Sequence, residues 1–97
     1  MRIIARSTIK KFYEKNRDAE ASLRAWYFEA KNADWSTPQD IKNQYRSASF
    51  VHNNRVVFNI AGNKYRLVVA IKYDFDIVYI RFIGTHAEYD SINIEKV

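Results

Sequence analysis

The sequence has no cysteine, one proline and two glycines in its 97 residues. Without cysteine there is neither a disulfide framework nor a thiolate metal site, and a reducing, cytoplasmic setting is expected. So little glycine and proline argues against a linker, a low-complexity tract or disorder. Apolar runs are short: none approaches the ~20 residues of a membrane span. The opening Met1-Arg2-Ile3-Ile4-Ala5-Arg6 lacks the apolar stretch and cleavage site of a secretory signal, so a protein without a membrane partner is expected. GxGxxG, P-loop and GxSxG patterns are missing too. The two histidines stand 34 positions apart, without HExxH spacing or clustered acids, so neither metal nor cofactor is expected. Hydrophobic residues, at 47%, suffice for one core, and the length predicts a single domain over 1–97.

Charge is present in excess and unevenly placed. Residues 1–17 hold Arg2, Arg6, Lys10, Lys11, Lys15 and Arg17 against Glu14 alone, while the rest of the chain balances. The entire net charge of +5 therefore sits at the amino end. Such asymmetry suits a polyanion or an acidic partner, although a solvated helix face would carry the same charges.

Periodicity predicts a short strand over 2–5, then a helix over 8–16 capped by Ser7, burying Ile9, Phe12 and Tyr13. Lys10, Lys11 and Lys15 fall on its outer side. A second helix, capped by Asp18 and running to about residue 32, carries an apolar stripe of Ala19, Leu23, Trp26, Tyr27, Ala30 and Ala33. Thr37-Pro38-Gln39-Asp40 starts a short third helix ending near Gln44. Residues 45–54 read as a loop. Strands follow over 55–60, 65–73 and 77–83, rich in Val, Ile, Phe and Tyr. The expected fold is α+β: two N-terminal helices packed on one face of an antiparallel sheet, with short extra helices.

Gly62-Asn63 is expected to form a tight turn that sets Asn59 opposite Arg66. A two-residue turn at Phe75-Asp76 would set Ala70 opposite Arg81 and Arg66 opposite Thr85. Alternation then places Val56, Phe58, Ile60, Leu67, Val69, Ile71, Val78, Ile80 and Phe82 under the helices. Val57, Asn59, Arg66, Val68, Ala70, Lys72, Tyr79 and Arg81 would line a helix-free face. A solvated sheet face explains such a mixture equally simply. The segment after the last strand points further. Thr85 and Glu88 have capping-box spacing, which predicts a helical turn holding His86 and Tyr89 near Arg66 and Asn59.

Arginine, histidine and tyrosine together can cleave RNA without a metal. A base takes the 2′-hydroxyl proton, cations stabilise the phosphorane and an acid protonates the leaving oxygen. His86 alone would be weak, because a lone histidine beside a cap is usually structural; His52 reads as a surface residue. Trp26 and Trp35 read as packing residues.

The stretches Val57-Phe58-Asn59-Ile60-Ala61-Gly62-Asn63-Lys64-Tyr65-Arg66-Leu67 and Thr85-His86-Ala87-Glu88-Tyr89-Asp90 carry a resemblance. The chain resembles the HigB family of type II toxin–antitoxin toxins, within the RelE/ParE superfamily, most clearly from about Trp35 to Asp90. The resemblance implies a RelE-like mRNA endoribonuclease (an mRNA interferase) acting on the translating ribosome and inhibiting growth. It implies a helix-turn-helix antitoxin of the HigA type, with operator DNA bound only through that antitoxin. Arg66, Arg81, His86 and Tyr89 match the family's RNA-cleaving positions, with either His86 or Tyr89 as the base. Asn59, Asn63, Lys64 and Lys72 would assist, and Lys10, Lys11 and Lys15 would dock on ribosomal RNA. The alternative within the superfamily is a ParE-like inhibitor that binds a topoisomerase and cuts nothing.

Overall fold

A computed structural model describes the whole chain, Met1–Val97. Its strands are β1 (Arg2–Ile4), β2 (Ser49–Val51), β3 (Arg55–Ile60), β4 (Tyr65–Lys72) and β5 (Ile77–Thr85). Its helices are α1 (Arg6–Lys15), α2 (Glu20–Lys31), α3 (Pro38–Gln44) and α4 (His86–Asp90), with a 3-10 turn at Arg17–Ala19. The strands form one sheet in the order β1-β5-β4-β3-β2. β1 runs parallel to β5 and the other pairs are antiparallel. This is the expected α+β, RelE-like arrangement, with two additions. β1 joins in parallel, and the segment expected to be a loop contains the edge strand β2. No helix is long and apolar enough to cross a membrane.

The helix starts differ from expectation where tertiary contacts take over. β1 pairs through Ile4 and α1 begins at Arg6, so one residue must reverse the chain. Ala5 does so in the left-handed region (φ 60°, ψ 58°), and Ser7 lies inside the helix rather than capping it. Asp18 does not cap α2 either; it reaches across to β4. Tyr65 Oη donates to Asp18 Oδ1 at 2.6 Å and the Lys64 ammonium pairs with Oδ2. α3 starts as expected, with Pro38 at its first position and reciprocal bonds between Thr37 and Asp40.

The sheet face beneath α1 and α2 is the main core. Ile9, Ala19, Leu23, Trp26 and Ala30 pack on Val56, Phe58, Ile60, Leu67, Val69, Ile71, Val78 and Ile80. Tyr27 and Ala33 pack partly buried against it. Trp26 and Trp35 are both buried.

The β3–β4 register is as expected, with Asn59 opposite Arg66. The β4–β5 register is not. A 3-10 turn at Tyr73–Phe75 with left-handed Asp76 (φ 55°) takes up four residues, so Lys72 faces Ile77 and Ala70 faces Tyr79 rather than Arg81. A bulge between Val68 and Val69 then inserts Arg81 as an extra residue, so that Arg66 faces Gly84 rather than Thr85. Beyond the bulge the alternation inverts. Phe82 leaves the helix side, opposite Val68, and Ile83 packs against the core instead.

The second sheet face is not bare. Val57, Val68 and Ala70 are buried there, outside the main core. The chain after α4 crosses this face to the start of β3, where Asn53 Nδ2 donates to the Glu95 carbonyl at 3.4 Å. Arg55 Nη2 donates to the Val97 carbonyl at 2.7 Å. Along this segment Ile92, Ile94 and Val97 are half-buried while Asn93, Glu95 and Lys96 are exposed. The sequence showed these apolar residues but gave no measure of which surface they would cover.

Asp18 makes the fold sensitive to acid. The hydrogen bond from Lys64 above all, then that from Tyr65, holds its carboxyl below the usual carboxylate range. The same contacts push Lys64 and Tyr65 up. The stability due to Asp18 is thus complete above the ordinary aspartate range, about pH 4, and is lost as pH falls through the depressed value. That due to Lys64 and Tyr65 is lost only as pH rises through their raised values. Asp18→Asn is expected to flatten the acid limb of a plot of denaturation midpoint against pH. An unchanged acid limb would remove Asp18 from this role.

Candidate RNA-cleaving site

The β3–β4 turn builds one half of the site. Ala61 (φ 53°) and Gly62 (φ 68°) both sit in the left-handed region, and Lys64 N–H closes the turn on the Ala61 carbonyl at 3.3 Å. Arg66 Nη1 donates to the carbonyls of Asn63 (2.9 Å) and Tyr65 (3.1 Å), which leaves the rest of its fork free. Asn59 Nδ2 donates to Asn63 Oδ1 at 3.3 Å. Asn59, Asn63 and Arg66 therefore form one polar cluster on the sheet face away from α1 and α2.

The junction of β5 and α4 builds the other half. Thr85 Oγ1 accepts from Glu88 N–H at 3.1 Å, and Glu88 Oε1 accepts from Thr85 N–H at 2.8 Å. This is the capping box that the spacing predicts, and it fixes His86 as the first helical residue. His86 N–H donates to the Lys64 carbonyl at 3.3 Å, tying α4 to the turn that leads into β4, two residues before Arg66. The His86 and Tyr89 rings meet edge to face, 6.3 Å between centroids. The imidazole Nδ1 lies 2.9 Å from Asp90 Oδ2.

Gly84 lets the two halves approach. A β-carbon there would lie 2.6 Å from Phe82 Cζ and 2.9 Å from Glu88 Oε1. Phe82 and the capping Glu88 would both have to move. Gly84→Ala is expected to cost about 1–3 kcal/mol, as overpacking does, read as a lowered midpoint of denaturation. An unchanged midpoint would mean that ring and carboxylate shift freely.

The other expected residues are placed differently. Arg81 is exposed on the bulge, its guanidinium 5.1 Å from the Tyr79 ring centroid. It stands three positions before Gly84, the partner of Arg66, so it lies about 10 Å along the strand. Lys64 is at the turn but paired with Asp18. Lys72 is at the far end of β4, opposite Ile77. Lys10, Lys11 and Lys15 are exposed on α1, in the layer on the opposite side of the sheet. Asp90 and Tyr79, which contact His86 and Arg81, were not among the expected site residues. Their signals were present: the i,i+4 spacing of His86 and Asp90, and the two-residue spacing of Tyr79 and Arg81.

A backbone bond thus ties the turn beside the half-buried Arg66 guanidinium and the Asn59 and Asn63 amides to the start of α4, which carries the exposed His86 imidazole and the Tyr89 phenol. These groups can hold a phosphodiester and exchange protons with it. Two comparisons with known proteins reach beyond the site to most of the chain. A protein from Escherichia coli O6:H1 (strain CFT073), an mRNA interferase HigB, is 26% identical to it over 94 residues, which span 95% of this chain and 91% of that protein. Residues 19–92 match the family model of the HigB toxin, the RelE-like toxic component of a toxin–antitoxin system, and that span takes in α2, α3, the antiparallel strands and α4. On that match the chain belongs to the HigB toxin family.

Proposed function

We propose that this protein is the toxin of a type II toxin–antitoxin pair and cleaves messenger RNA on the translating ribosome without a metal ion. One observation supports the reading: His86 N–H is bonded to the Lys64 carbonyl, which ties the start of α4 to the turn between Asn59 and Arg66. The name of the Escherichia coli relative, an mRNA interferase, supports the same substrate. In the proposed reaction the 2′-oxygen attacks phosphorus as its proton leaves. The bond to the 5′-oxygen breaks, and that oxygen receives a proton, giving a 2′,3′-cyclic phosphate and a 5′-hydroxyl. Arg66 holds the non-bridging oxygens, with Arg81 further along the strand path. His86 and Tyr89 supply the proton transfers. Asn59 and Asn63 fix the turn and contact the message.

Exposed Lys10, Lys11 and Lys15 on α1 would meet ribosomal phosphate from the opposite layer. The partner that silences the protein would be a helix-turn-helix antitoxin of the HigA type, through which alone operator DNA is bound. Incubating the purified protein with programmed ribosomes, and mapping message ends by primer extension, tests the reading. New ends within the message are expected. Intact message together with fragmented chromosomal DNA in induced cells would replace it with topoisomerase inhibition.

A further inference from the structure

The feature the reaction above leaves unused is the carboxylate of Asp90. His86 and Asp90 lie one turn apart on α4, the spacing that puts two side chains on one helix face. Asp90 Oδ2 is 2.9 Å from His86 Nδ1, and both side chains are more than half exposed, at 60% and 53%. An exposed pair of this kind adds little to stability. Its geometry has a chemical consequence all the same. An ionised carboxylate can only accept, so the bond requires the proton to be on Nδ1. In the neutral ring Nε2 is then left bare, with its lone pair available. No other side chain is hydrogen-bonded to the imidazole, and Tyr89 meets it only through the ring edge.

We propose that Asp90 is a positioning residue that holds the His86 imidazole with Nδ1 protonated and Nε2 free, which makes His86 the base for the 2′-hydroxyl. The assignment rests on the nuclease reading above and adds an ordered pair of roles. Nε2 takes the 2′-proton as the 2′-oxygen attacks, and Asp90 stabilises the imidazolium that results, remaining ionised itself. Tyr89 is left to protonate the departing 5′-oxygen. The capping box at Thr85 and Glu88 supports the pair from below, since it fixes the turn of helix on which both residues stand.

The test joins a spectroscopic and a kinetic readout on the full chain. Nitrogen-15 shifts of His86 are measured in wild type, Asp90→Ala and Asp90→Asn, well above histidine's ordinary titration range. Wild type is expected to show a protonated Nδ1, and Asp90→Ala to move the proton toward Nε2. With programmed ribosomes, Asp90→Ala should lose at least about tenfold in kcat with KM unchanged, a loss bounded by the ~10²–10⁴ available to a general base. His86→Ala and the double variant His86→Ala/Asp90→Ala should be equally slow, because Asp90 acts only through the ring. Asp90→Asn, which retains an acceptor, should fall between. An unmoved tautomer in Asp90→Ala, or a double variant markedly slower than His86→Ala, overturns the assignment. If wild type itself cuts no message, the nuclease reading fails separately, and the nitrogen shifts still decide whether Asp90 holds the ring.

Discussion

Arg66→Ala is expected to slow message cleavage by about a hundred- to a thousandfold, the loss found when one donor to a developing oxyanion is removed. The structure gives the reason for choosing this arginine over Arg81. Arg66 Nη1 is anchored on the Asn63 and Tyr65 carbonyls, so the guanidinium is already held in place before substrate arrives. Arg81 is exposed on a bulge and rests on Tyr79, and its replacement should cost less. Arg66→Lys keeps the charge and loses the planar fork, so it should recover only part of the rate. The fold should survive, since the two lost bonds to turn carbonyls are worth about 1 kcal/mol each. Single-turnover cleavage on programmed ribosomes gives the rate, and thermal unfolding gives the fold. Full activity in a folded Arg66→Ala protein would move the phosphate site elsewhere.

The parts of the molecule that were legible in the sequence are those governed by local chemistry. The helix start at Thr37-Pro38-Gln39-Asp40 and the Thr85–Glu88 capping box needed only residues a few positions apart, and both formed. The Gly62-Asn63 turn fixed the β3–β4 register, and with it the approach of Asn59 to Arg66. What escaped depends on contacts between distant segments. Asp18 does not cap its helix; Tyr65 on β4 offers it a neutral donor and Lys64 of the preceding turn a charged one. The β4–β5 register departs from expectation twice, at a longer turn over Tyr73–Asp76 and at the bulge that inserts Arg81, and alternation records neither. Because a shift of one residue exchanges the two sheet faces, the same bulge sent Phe82 outward and Ile83 inward. The tail across the second face was hidden for another reason. Val57, Val68 and Ala70 looked like tolerated apolar residues on an open surface, and only the path of residues 91–97 shows that they are covered.

Phe58→Ala is expected to have the largest effect on stability, about 3–5 kcal/mol, as for other buried phenylalanines. For a chain of this size that lowers the melting temperature by at least ~12 °C. Phe58 is 2% exposed and sits at the centre of an aromatic cluster. Its ring meets Trp26 at 5.4 Å and Tyr45 at 5.1 Å edge to face, and stacks on Trp35 at 6.2 Å. These partners come from α2, from the connection before α3 and from the residue that ends α3. Truncation would therefore leave a cavity bounded by three separate segments. Two of those segments are held by side-chain bonds that resist collapse. Trp35 Nε1 donates to Gln44 Oε1 at 3.0 Å, and Tyr45 Oη donates to Glu29. Phe58 also precedes Asn59, which points to the opposite sheet face and joins the Arg66 cluster. Loosening of β3 at Phe58 should then reach the site, lowering cleavage even below the melting transition. Phe28→Ala, at a side chain 68% exposed on α2, is the matched control and should change stability by less than about 0.5 kcal/mol. Thermal melts of both variants, with cleavage assayed well below each midpoint, check the two effects. A Phe58→Ala protein as stable as the Phe28→Ala control would mean that the cluster closes over the lost ring.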